Sequence, residues 1–376
     1  MTPGNTTQEG CHFIDGLLAV PIEQLGAAME ATGANQSDRV FELLEGVDNA
    51  EAVAATIGLL DVDDPHVTAE ELAGFEIPAS PVHAVGFQGH TKAMSGTQPE
   101  TAQISFPDVP RGGENNIVAV VDSGIAAELP PWMSVIHDPT DIEAPDNSYA
   151  VPTSHGTFVA SLLRQISPNH VVSLAAARPD RGQLSPPPED DGNPTNELEI
   201  AAAILRLIDR HWENPERVQA LNISLGAYAC HPESTAPDSY LLAMRVALDA
   251  WRQVFPYVPI FAAGGNSTSP DPVYPGAWRD LEDMHAVAAS DEQREVVWDD
   301  SDVETAPPNP RFWITDGAVG SDVLGLSGQD ASHTVKWSGS SFATAVATAS
   351  WLKGENPTIA DGIVWWPENV DGLYRV

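Results

Sequence analysis

Short apolar runs alternate with helical patterns between residue 114 and about residue 355. Five of these runs are short enough for strands buried on both faces of a parallel sheet, and they cover residues 117–121, 171–177, 218–225, 258–263 and 284–289. Between the second and third runs, Asn196 and Glu199 have the spacing of a capping box ahead of a helix with one apolar face. This alternation predicts an α/β fold: a doubly wound, mostly parallel sheet with helices on both faces.

The first 112 residues follow a different pattern. They are rich in Ala and Glu, and helix-like patches cover residues 21–30, 39–46 and 49–60. A stretch rich in Gly, Pro, Thr and Ser, residues 90–113, predicts a linker. We therefore expect a small N-terminal domain with its linker over residues 1–112, either α+β or mainly helical, and a larger α/β domain over residues 113–376.

Charge and hydropathy narrow the range of partners. The chain has 376 residues and carries 54 Asp and Glu against 17 Lys and Arg, a net charge of -37. Nucleic acids and anionic membranes repel such a protein, so neither is an expected partner. No stretch approaches the roughly 18 apolar residues that a membrane-spanning helix needs. The N-terminus lacks the basic and apolar regions of a signal peptide, which favours a cytoplasmic location, or a secreted one if a leader has been removed.

No cofactor is expected from the cysteine, histidine and acidic residues. Cys11 and Cys230 are far apart in sequence and show no metal-ligand spacing, so free thiols are favoured, with a disulfide left open. The histidines offer no pair at zinc-ligand spacing. Acidic clusters at residues 189–191 and 299–302 leave calcium as an alternative, but neither matches a complete calcium loop.

Four short segments supply residue types that perform acid–base and nucleophilic chemistry. An apolar run ending in Asp-Ser-Gly, residues 118–124, predicts a buried strand with Asp122 at its carboxyl tip. His155, followed by Gly, Thr and an apolar stretch, is expected at the start of a helix and facing a cleft. The other two segments are A-A-G-G-N, residues 262–266, and S-G-S-S-F-A-T-A, residues 338–345. Taken singly, such residues are more often turns, caps or loops.

The order of these segments resembles that of the subtilisin-like serine peptidases, the subtilase family, from about residue 115 to about residue 355. N-I-S-L-G at residues 222–226 resembles the substrate-binding strand of that family. Y-P-G-A-W at residues 274–278, followed by H-A-V-A-A-S-D, resembles its wall loop and next core strand. One such segment is weak evidence, whereas several in one order are strong evidence for the family.

The resemblance implies a serine endopeptidase that works through an acyl-enzyme. In this family Asp122 would orient His155, and His155 would take the proton of the nucleophile Ser341. The family pattern Gly-Thr-Ser places the nucleophile second, with Ser340 in the threonine position. Asn266 would donate to the oxyanion together with the backbone N–H of Ser341. The alternative is a subtilase fold retained as a peptide-binding scaffold without turnover.

Protein or peptide substrates are the partners that the resemblance implies. An extended substrate would lie between two segments as an added strand. The residues expected to bind it are Ser224, Leu225, Gly226, Gly264 and Gly265.

Many subtilases carry an N-terminal prodomain that assists folding and then inhibits the enzyme by laying its C-terminal tail through the cleft. Residues 11–89 have a suitable size, and P-V-H-A-V-G-F at residues 81–87 is a candidate for its last strand. A prodomain predicts intramolecular inhibition and self-cleavage between about residues 88 and 115. An accessory domain without inhibitory function, or a partly disordered extension, is an equal alternative.

Two departures from the family pattern stand out. Ala345 occupies the position of a family proline near the nucleophile, and residues 298–320 replace a shorter and more regular link. The polar stretch at residues 178–194 predicts a surface loop, with a lid or partner contact as the alternative. Aromatic residues in the tail, residues 356–376, are expected to pack onto the domain.

Overall fold

The computed structural model of the chain describes residues 13–45, 49–87, 100–101, 116–142, 155–177, 184–185, 195–228, 241–266, 272–290, 313–327, 333–354, 358–360 and 363–365. The strands are β1 Phe13–Pro21, β2 Asn35–Gln36, β3 Ile57–Asp61, β4 Ser80–Phe87, β5 Glu100–Thr101, β6 Ile117–Asp122, β7 Val135–Ile136, β8 Val171–Ala176, β9 Leu184–Ser185, β10 Thr195–Asn196, β11 Val218–Ile223, β12 Leu225–Tyr228, β13 Ile260–Ala263, β14 Val273–Tyr274, β15 Met284–Ser290, β16 Asp316–Val319, β17 Val323–Ser327, β18 His333–Trp337, β19 Thr358–Ala360 and β20 Ile363–Trp365. The α-helices are α1 Leu25–Thr32, α2 Arg39–Leu43, α3 Ala50–Ala54, α4 Pro65–Ala73, α5 His155–Ile166, α6 Glu197–His211, α7 Leu242–Val254 and α8 Ser340–Leu352.

A seven-stranded sheet in the order β16-β15-β13-β11-β6-β8-β7 forms the centre of the larger domain. All neighbouring strands in it are parallel, which confirms the doubly wound α/β fold. The strand order changes direction between β6 and β11, since the chain continues to β8 on one side and to β13 on the other. Open α/β sheets bind ligands at the carboxyl ends of the strands at such a point. Asp122 ends β6 there, and Ser224 follows β11.

Side chains of β6 alternate between two hydrophobic cores, which explains why helices cover both faces of the sheet. Ala119 and Val121 pack in one core with α6 and α7. Val118 and Val120 pack in the other core with α5 and α8. All six residues of β6 are buried, and burying each valine side chain contributes roughly 1.5–3 kcal/mol. The apolar sequence of this strand therefore anchors Asp122 from both faces.

The helices of the larger domain begin where the sequence predicts them. The Asn196 side chain accepts a hydrogen bond from the backbone N–H of Glu199 at 3.1 Å, so Asn196 is the N-cap of α6. His155 is the first residue of α5, and Ser341 is the second residue of α8. Two of the chemically important side chains thus lie in the first turn of a helix.

The N-terminal region is α+β and not mainly helical. Strands β2, β3, β1 and β4 are neighbours in one sheet. On one side of this sheet, Leu18 and Leu72 belong to a small core that includes residues of α1 and α4. Leu17 and Val82 instead belong to the large core that contains α6 and α7. The N-terminal region therefore shares a hydrophobic interface with the α/β domain.

The helix expected over residues 49–60 is wrong in its second half. Helix α3 covers only Ala50–Ala54, and Ile57–Asp61 form β3, which pairs antiparallel with β1. The run I-G-L-L-D is short and apolar, so its own pattern fits a buried strand as well as a helix. Pairing with β1, which is distant in sequence, decides between them.

Several features of the sequence analysis lie outside the described residues. They are Cys11, Cys230 and the acidic clusters at residues 189–191 and 299–302. Of the polar stretch at residues 178–194, the described residues Leu184 and Ser185 pair with β1. In the part of the chain that the structure describes, no group of three His, Cys, Asp or Glu side chains is placed to hold a metal ion. None of the described helices has the length and apolar character to cross a membrane.

Candidate active site

Asp122 and His155 form a buried pair at the carboxyl end of the parallel sheet. Nδ1 of His155 lies 2.6 Å from Oδ1 of Asp122, and the backbone N–H of Ser123 donates to the same oxygen at 2.8 Å. Asp122 is 0% exposed and His155 is 1% exposed. Because an ionised carboxylate can only accept, Nδ1 of His155 carries the proton, which leaves Nε2 as the basic nitrogen. The contact fixes both the orientation and the tautomer of the imidazole.

The Asp-Ser-Gly and His-Gly-Thr segments hold each other in place. The backbone N–H of Gly156 donates to Ser123 Oγ at 3.2 Å. The backbone N–H of Ala126 donates to Thr157 Oγ1 at 2.9 Å. A Cβ on Gly156 would lie 2.0 Å from the carbonyl oxygen of Gly124, so only glycine fits after His155. These contacts explain why each segment has a hydroxyl at a fixed position and why a glycine follows His155.

Asp141 is a further buried acid that supports this loop, and the sequence analysis did not identify it. Its carboxylate accepts a hydrogen bond from the backbone N–H of Ala176 at 2.9 Å and pairs with Arg206 at 3.3 Å and Arg210 at 3.0 Å. Its backbone carbonyl accepts from Ile125 N–H at 2.9 Å. Asp141 also forms a capping box with Asp138, but that local pattern does not reveal its distant partners, so only the three-dimensional structure shows that it braces the loop after Asp122.

Two aromatic side chains flank His155, and sequence reasoning missed them too. The ring centroid of the imidazole lies 5.7 Å from that of Trp337, edge to face, and 5.4 Å from that of Phe342. Phe158, three residues after His155, contacts both aromatic rings. All three aromatic side chains are fully buried. They exclude water from the imidazole, and one of them, Phe342, directly follows Ser341 in the chain. In the sequence, these aromatic residues are marked only by their position close to the His-Gly-Thr and Ser-Gly-Ser-Ser segments.

Ser341 is joined to the segment N-I-S-L-G by reciprocal hydrogen bonds. Its Oγ donates to the backbone carbonyl of Ser224 at 2.8 Å, and Ser224 Oγ donates to the carbonyl of Ser341 at 2.8 Å. Oδ1 of Asn222 is a second acceptor for the one hydroxyl proton of Ser224, at 2.9 Å, and Nδ2 of Asn222 donates to Thr348 Oγ1 at 3.1 Å. The end of β11 is therefore fixed to α8, whose N-terminus favours negative charge near Ser341.

Asn266 follows β13 and lies against the N-terminus of α8. Its Oδ1 accepts a hydrogen bond from the backbone N–H of Ser340 at 2.6 Å. This bond assigns the oxygen end of the amide, so Nδ2 is the end that can donate to a ligand. The structure thus places Asn266 at the first turn of α8, beside the two serines.

Strand β11 passes into β12 at Ser224, Leu225 and Gly226. A strand of the N-terminal region pairs with Leu225 and Gly226. The register of β4 on β12 is Phe87 opposite Leu225 and Gly86 opposite Gly226, antiparallel. Strand β4 also pairs with β10, and β12 pairs with β14. Residues 81–87, the candidate last strand of a prodomain, are therefore an added strand on the expected substrate-binding strand.

Gly264 and Gly265 have different structural reasons to be glycine. A Cβ on Gly264 would lie 2.4 Å from Cδ1 of Ile314 and 2.8 Å from the carbonyl oxygen of Val287, so core packing already demands glycine there. Gly265 has a φ of 92°, which favours glycine. Contact of these two residues with a substrate stays a prediction.

The comparison with protein families agrees with this geometry. The model of the subtilase family, peptidase S8, matches residues 113–375. The chain belongs to the subtilase family. Among curated protein sequences, none matches the chain.

Two solved structures, fervidolysin and a leader peptide protease, show the same fold at low sequence identity. Fervidolysin from Fervidobacterium pennivorans, a keratinolytic enzyme related to subtilisin, is 14% identical with a TM-score of 0.53, covering 93% of this chain and 57% of that one. A mutant of the epidermin leader peptide processing serine protease from Staphylococcus aureus is 12% identical with a TM-score of 0.50, covering 89% of this chain and 88% of that one. The self-cleaved protease domain of PatA is 22% identical with a TM-score of 0.43, covering 66% of this chain and 85% of that one. This chain thus spans a little over half the length of fervidolysin.

Proposed function

We propose that the chain hydrolyses internal peptide bonds through a triad of Asp122, His155 and Ser341 and an acyl-enzyme intermediate. The observation that best supports this is the buried hydrogen bond of 2.6 Å between Asp122 and His155, beside the helix that carries Ser341 in its first turn. A serine hydroxyl is a weak nucleophile until an oriented imidazole accepts its proton. Stoichiometric labelling of Ser341 by a fluorophosphonate tests the assignment, and a protein that is never labelled would be a scaffold.

In the acylation step, the Ser341 hydroxyl turns from the Ser224 carbonyl toward Nε2 of His155, a rotation about the Cα–Cβ bond. Nε2 accepts the proton while Oγ attacks the carbonyl carbon of the substrate. The carboxylate of Asp122 stabilises the imidazolium that forms, and the imidazolium then protonates the leaving amine. Water, deprotonated by His155 in turn, releases the acyl group from Ser341.

The oxyanion of the tetrahedral intermediate needs donors that are already in position. We assign this role to Nδ2 of Asn266 and the backbone N–H of Ser341. The bond from Ser340 N–H to Oδ1 of Asn266 supports the assignment because it holds the amide at the N-terminus of α8. The partial positive charge of that helix end adds to the stabilisation.

Protein or peptide substrates would bind in extended form along Leu225 and Gly226. The pairing of β4 with these two residues supports this mode, because it shows that an antiparallel strand fits there. Main-chain hydrogen bonds would supply affinity, and pockets on both sides of the strand would select side chains.

The same pairing supports intramolecular inhibition by the N-terminal region. Strand β4 occupies the place of a substrate and runs toward Ser341, since Phe87 pairs with Leu225 and the next residue back, Ser224, accepts the Ser341 hydroxyl. A substrate strand and β4 cannot pair with the same edge of β12 at once. We therefore propose that the N-terminal region keeps the enzyme latent until the chain is cut after β4 and the part before the cut is released.

Purified wild-type protein is expected to cut itself on the C-terminal side of Phe87, between residues 88 and 115. The physical reason is that β4 delivers this segment of the chain to the serine. N-terminal sequencing and mass spectrometry of the fragments locate the cut. The Ser341→Ala chain should stay intact under the same conditions. Full activity of a wild-type chain that remains in one piece would refute the prodomain assignment.

Glu197 is expected to control how fast the cut N-terminal region leaves. Its fully buried carboxylate accepts from the backbone N–H of His83 in β4 at 3.0 Å and from that of Ala243 in α7 at 2.9 Å. In Glu197→Gln the amide NH₂ cannot accept, so one buried N–H loses its partner, at about 1.5–3 kcal/mol for a bond to a charged group. We expect the lag between chain cleavage and hydrolysis of an added peptide to shorten about ten-fold.

The matched control for this variant is Glu213→Gln, because Glu213 is an exposed glutamate just beyond the same helix. Its lag should equal that of the wild type. An unchanged lag in Glu197→Gln would show that the carboxylate does not hold β4 in place.

A further inference from the structure

Two strands of the N-terminal region pair with segments that lead to two different members of the proposed triad. Strand β4 ends at Phe87, paired with Leu225, and β5 begins at Glu100, paired with Lys336. Leu225 is adjacent to Ser224, which accepts the hydroxyl of Ser341. Lys336 is adjacent to Trp337, whose ring contacts His155. The N-terminal region therefore pairs both with the segment next to Ser341's acceptor and with the segment next to the tryptophan that contacts His155.

Strand β18 is the middle strand of a small antiparallel sheet in the order β17-β18-β5. One edge of β18 pairs with β17 along its whole length, from Trp337 opposite Val323 to His333 opposite Ser327. Its other edge pairs with β5 at Val335 and Lys336. A strand edge without a neighbour presents N–H and C=O groups that can bind an extended peptide. Here the peptide comes from the N-terminal region, before the segment that matches the subtilase family.

The direction of the chain agrees with that of a substrate. Residues on the acyl side of a cleaved bond would lie on β12, where β4 is found, and residues on the leaving side would come afterwards. Strand β5 comes afterwards, and it lies on the strand that leads through Ser338 and Gly339 to Ser341. The residue opposite Lys336 is Glu100, so an acid is paired in register with one of the few cations of a chain with net charge -37.

We propose that the edge of β18 at Val335 and Lys336 is a binding site for the leaving side of the chain during self-cleavage, and that Glu100–Thr101 is its occupant. The inference rests on the proposed peptidase function. By holding the chain on both sides of Ser341, β12 and β18 confine the cut to residues 88–99 and raise its rate. Such positioning turns the attack into a reaction between pre-aligned groups.

The first test replaces both residues of β5 by proline in the full chain, since proline removes the backbone donors of the strand. The half-time of self-cleavage at fixed pH should lengthen by about ten-fold or more, as expected when a positioned segment is released. N-terminal sequencing should place the wild-type cut within residues 88–99. An unchanged half-time, or a wild-type cut beyond Thr101, overturns the inference.

The second test reverses the charges of the two residues that β5 and β18 place opposite each other, Glu100 and Lys336. Glu100→Lys and Lys336→Glu each place like charges opposite each other, and each should slow self-cleavage by up to about five-fold. The double variant should recover most of the wild-type rate, a coupling that a general loss of folding would not produce. Lys353→Glu, at the far end of α8, is the matched charge control. A double variant slower than both single variants overturns the inference.

Hydrolysis of an added peptide substrate distinguishes failure of this inference from failure of the proposed peptidase function. A wild-type chain that hydrolyses the peptide but never cuts itself overturns the inference and the prodomain assignment, and it leaves the peptidase proposal standing. A wild-type chain that does neither, and is not labelled by a fluorophosphonate, overturns the peptidase proposal and the inference with it.

Discussion

Ser341→Ala is expected to end peptide hydrolysis, with kcat falling by about 10⁶, the loss known for removal of the nucleophile in subtilisin itself. The alanine leaves the Asp122–His155 pair and the α8 N-terminus in place, so the loss reports the hydroxyl alone. Initial rates on a peptide substrate measure it, using protein from which the N-terminal region has been removed. Fluorophosphonate labelling should disappear in the same variant.

Ser340→Ala is the matched control, because it removes the neighbouring hydroxyl. Ser340 contacts Asn266 through its backbone N–H, and its Oγ has no hydrogen-bond partner among the described residues. We expect this variant to retain activity within about ten-fold, since truncating a side chain that makes no hydrogen bond costs little beyond packing. If Ser340→Ala lost labelling and Ser341→Ala kept it, the nucleophile would be Ser340.

The parallel sheet can be predicted from the sequence because its strands are apolar on both faces. Strand β6 is an example: V-A-V-V stands out without any information about its neighbours, and the observed strand Ile117–Asp122 extends the predicted run by one residue. Helix α6 is predictable for a similar reason, since the Asn196 cap is a local interaction. A helix or strand can be predicted from the sequence when its own residues show the apolar pattern or the cap.

The N-terminal region is harder to predict because its strands depend on distant partners. The sequence pattern assigns β3 to a helix and gives no strand signal for β1, and each of these strands is stabilised by pairing with the other. The contact of β4 with β12 joins Phe87 to Leu225, a separation that no local pattern encodes. Only the resemblance to subtilases identifies residues 81–87 as a strand.

The candidate site likewise contains residues that the sequence identifies and residues that only the structure identifies. Asp122, His155, Asn266 and Ser341 lie in motifs, and the motifs identify them. The supporting side chains lie outside these motifs. Asp141 braces the loop after Asp122, and Trp337 contacts His155 across the fold. Residues that act through packing or through buried charge require the tertiary structure, because their partners are distant in sequence.

Asp122→Asn is expected to lower kcat by about 10⁴ at neutral pH, the order found when the acid of such a triad becomes an amide. The amide keeps the shape of the carboxylate but can present a donor to Nδ1 of His155, which favours the wrong imidazole tautomer. It also removes the charge that stabilises an imidazolium in a site where His155 is 1% exposed. Steady-state kinetics together with fluorophosphonate labelling rates measure the loss.

The chain contains its own control for this variant in a second His–Asp pair. Nδ1 of His285 lies 2.8 Å from Oδ2 of Asp316, between β15 and β16 and outside the candidate site. Asp316→Asn makes the same chemical change to a similar hydrogen bond, so it should cost about 1–3 kcal/mol in unfolding free energy while kcat stays within a few-fold of wild type. If both variants lost activity equally, the Asp122 effect would be structural. If Asp122→Asn alone kept wild-type kcat, Asp122 would not orient the base, and the proposed triad would be wrong.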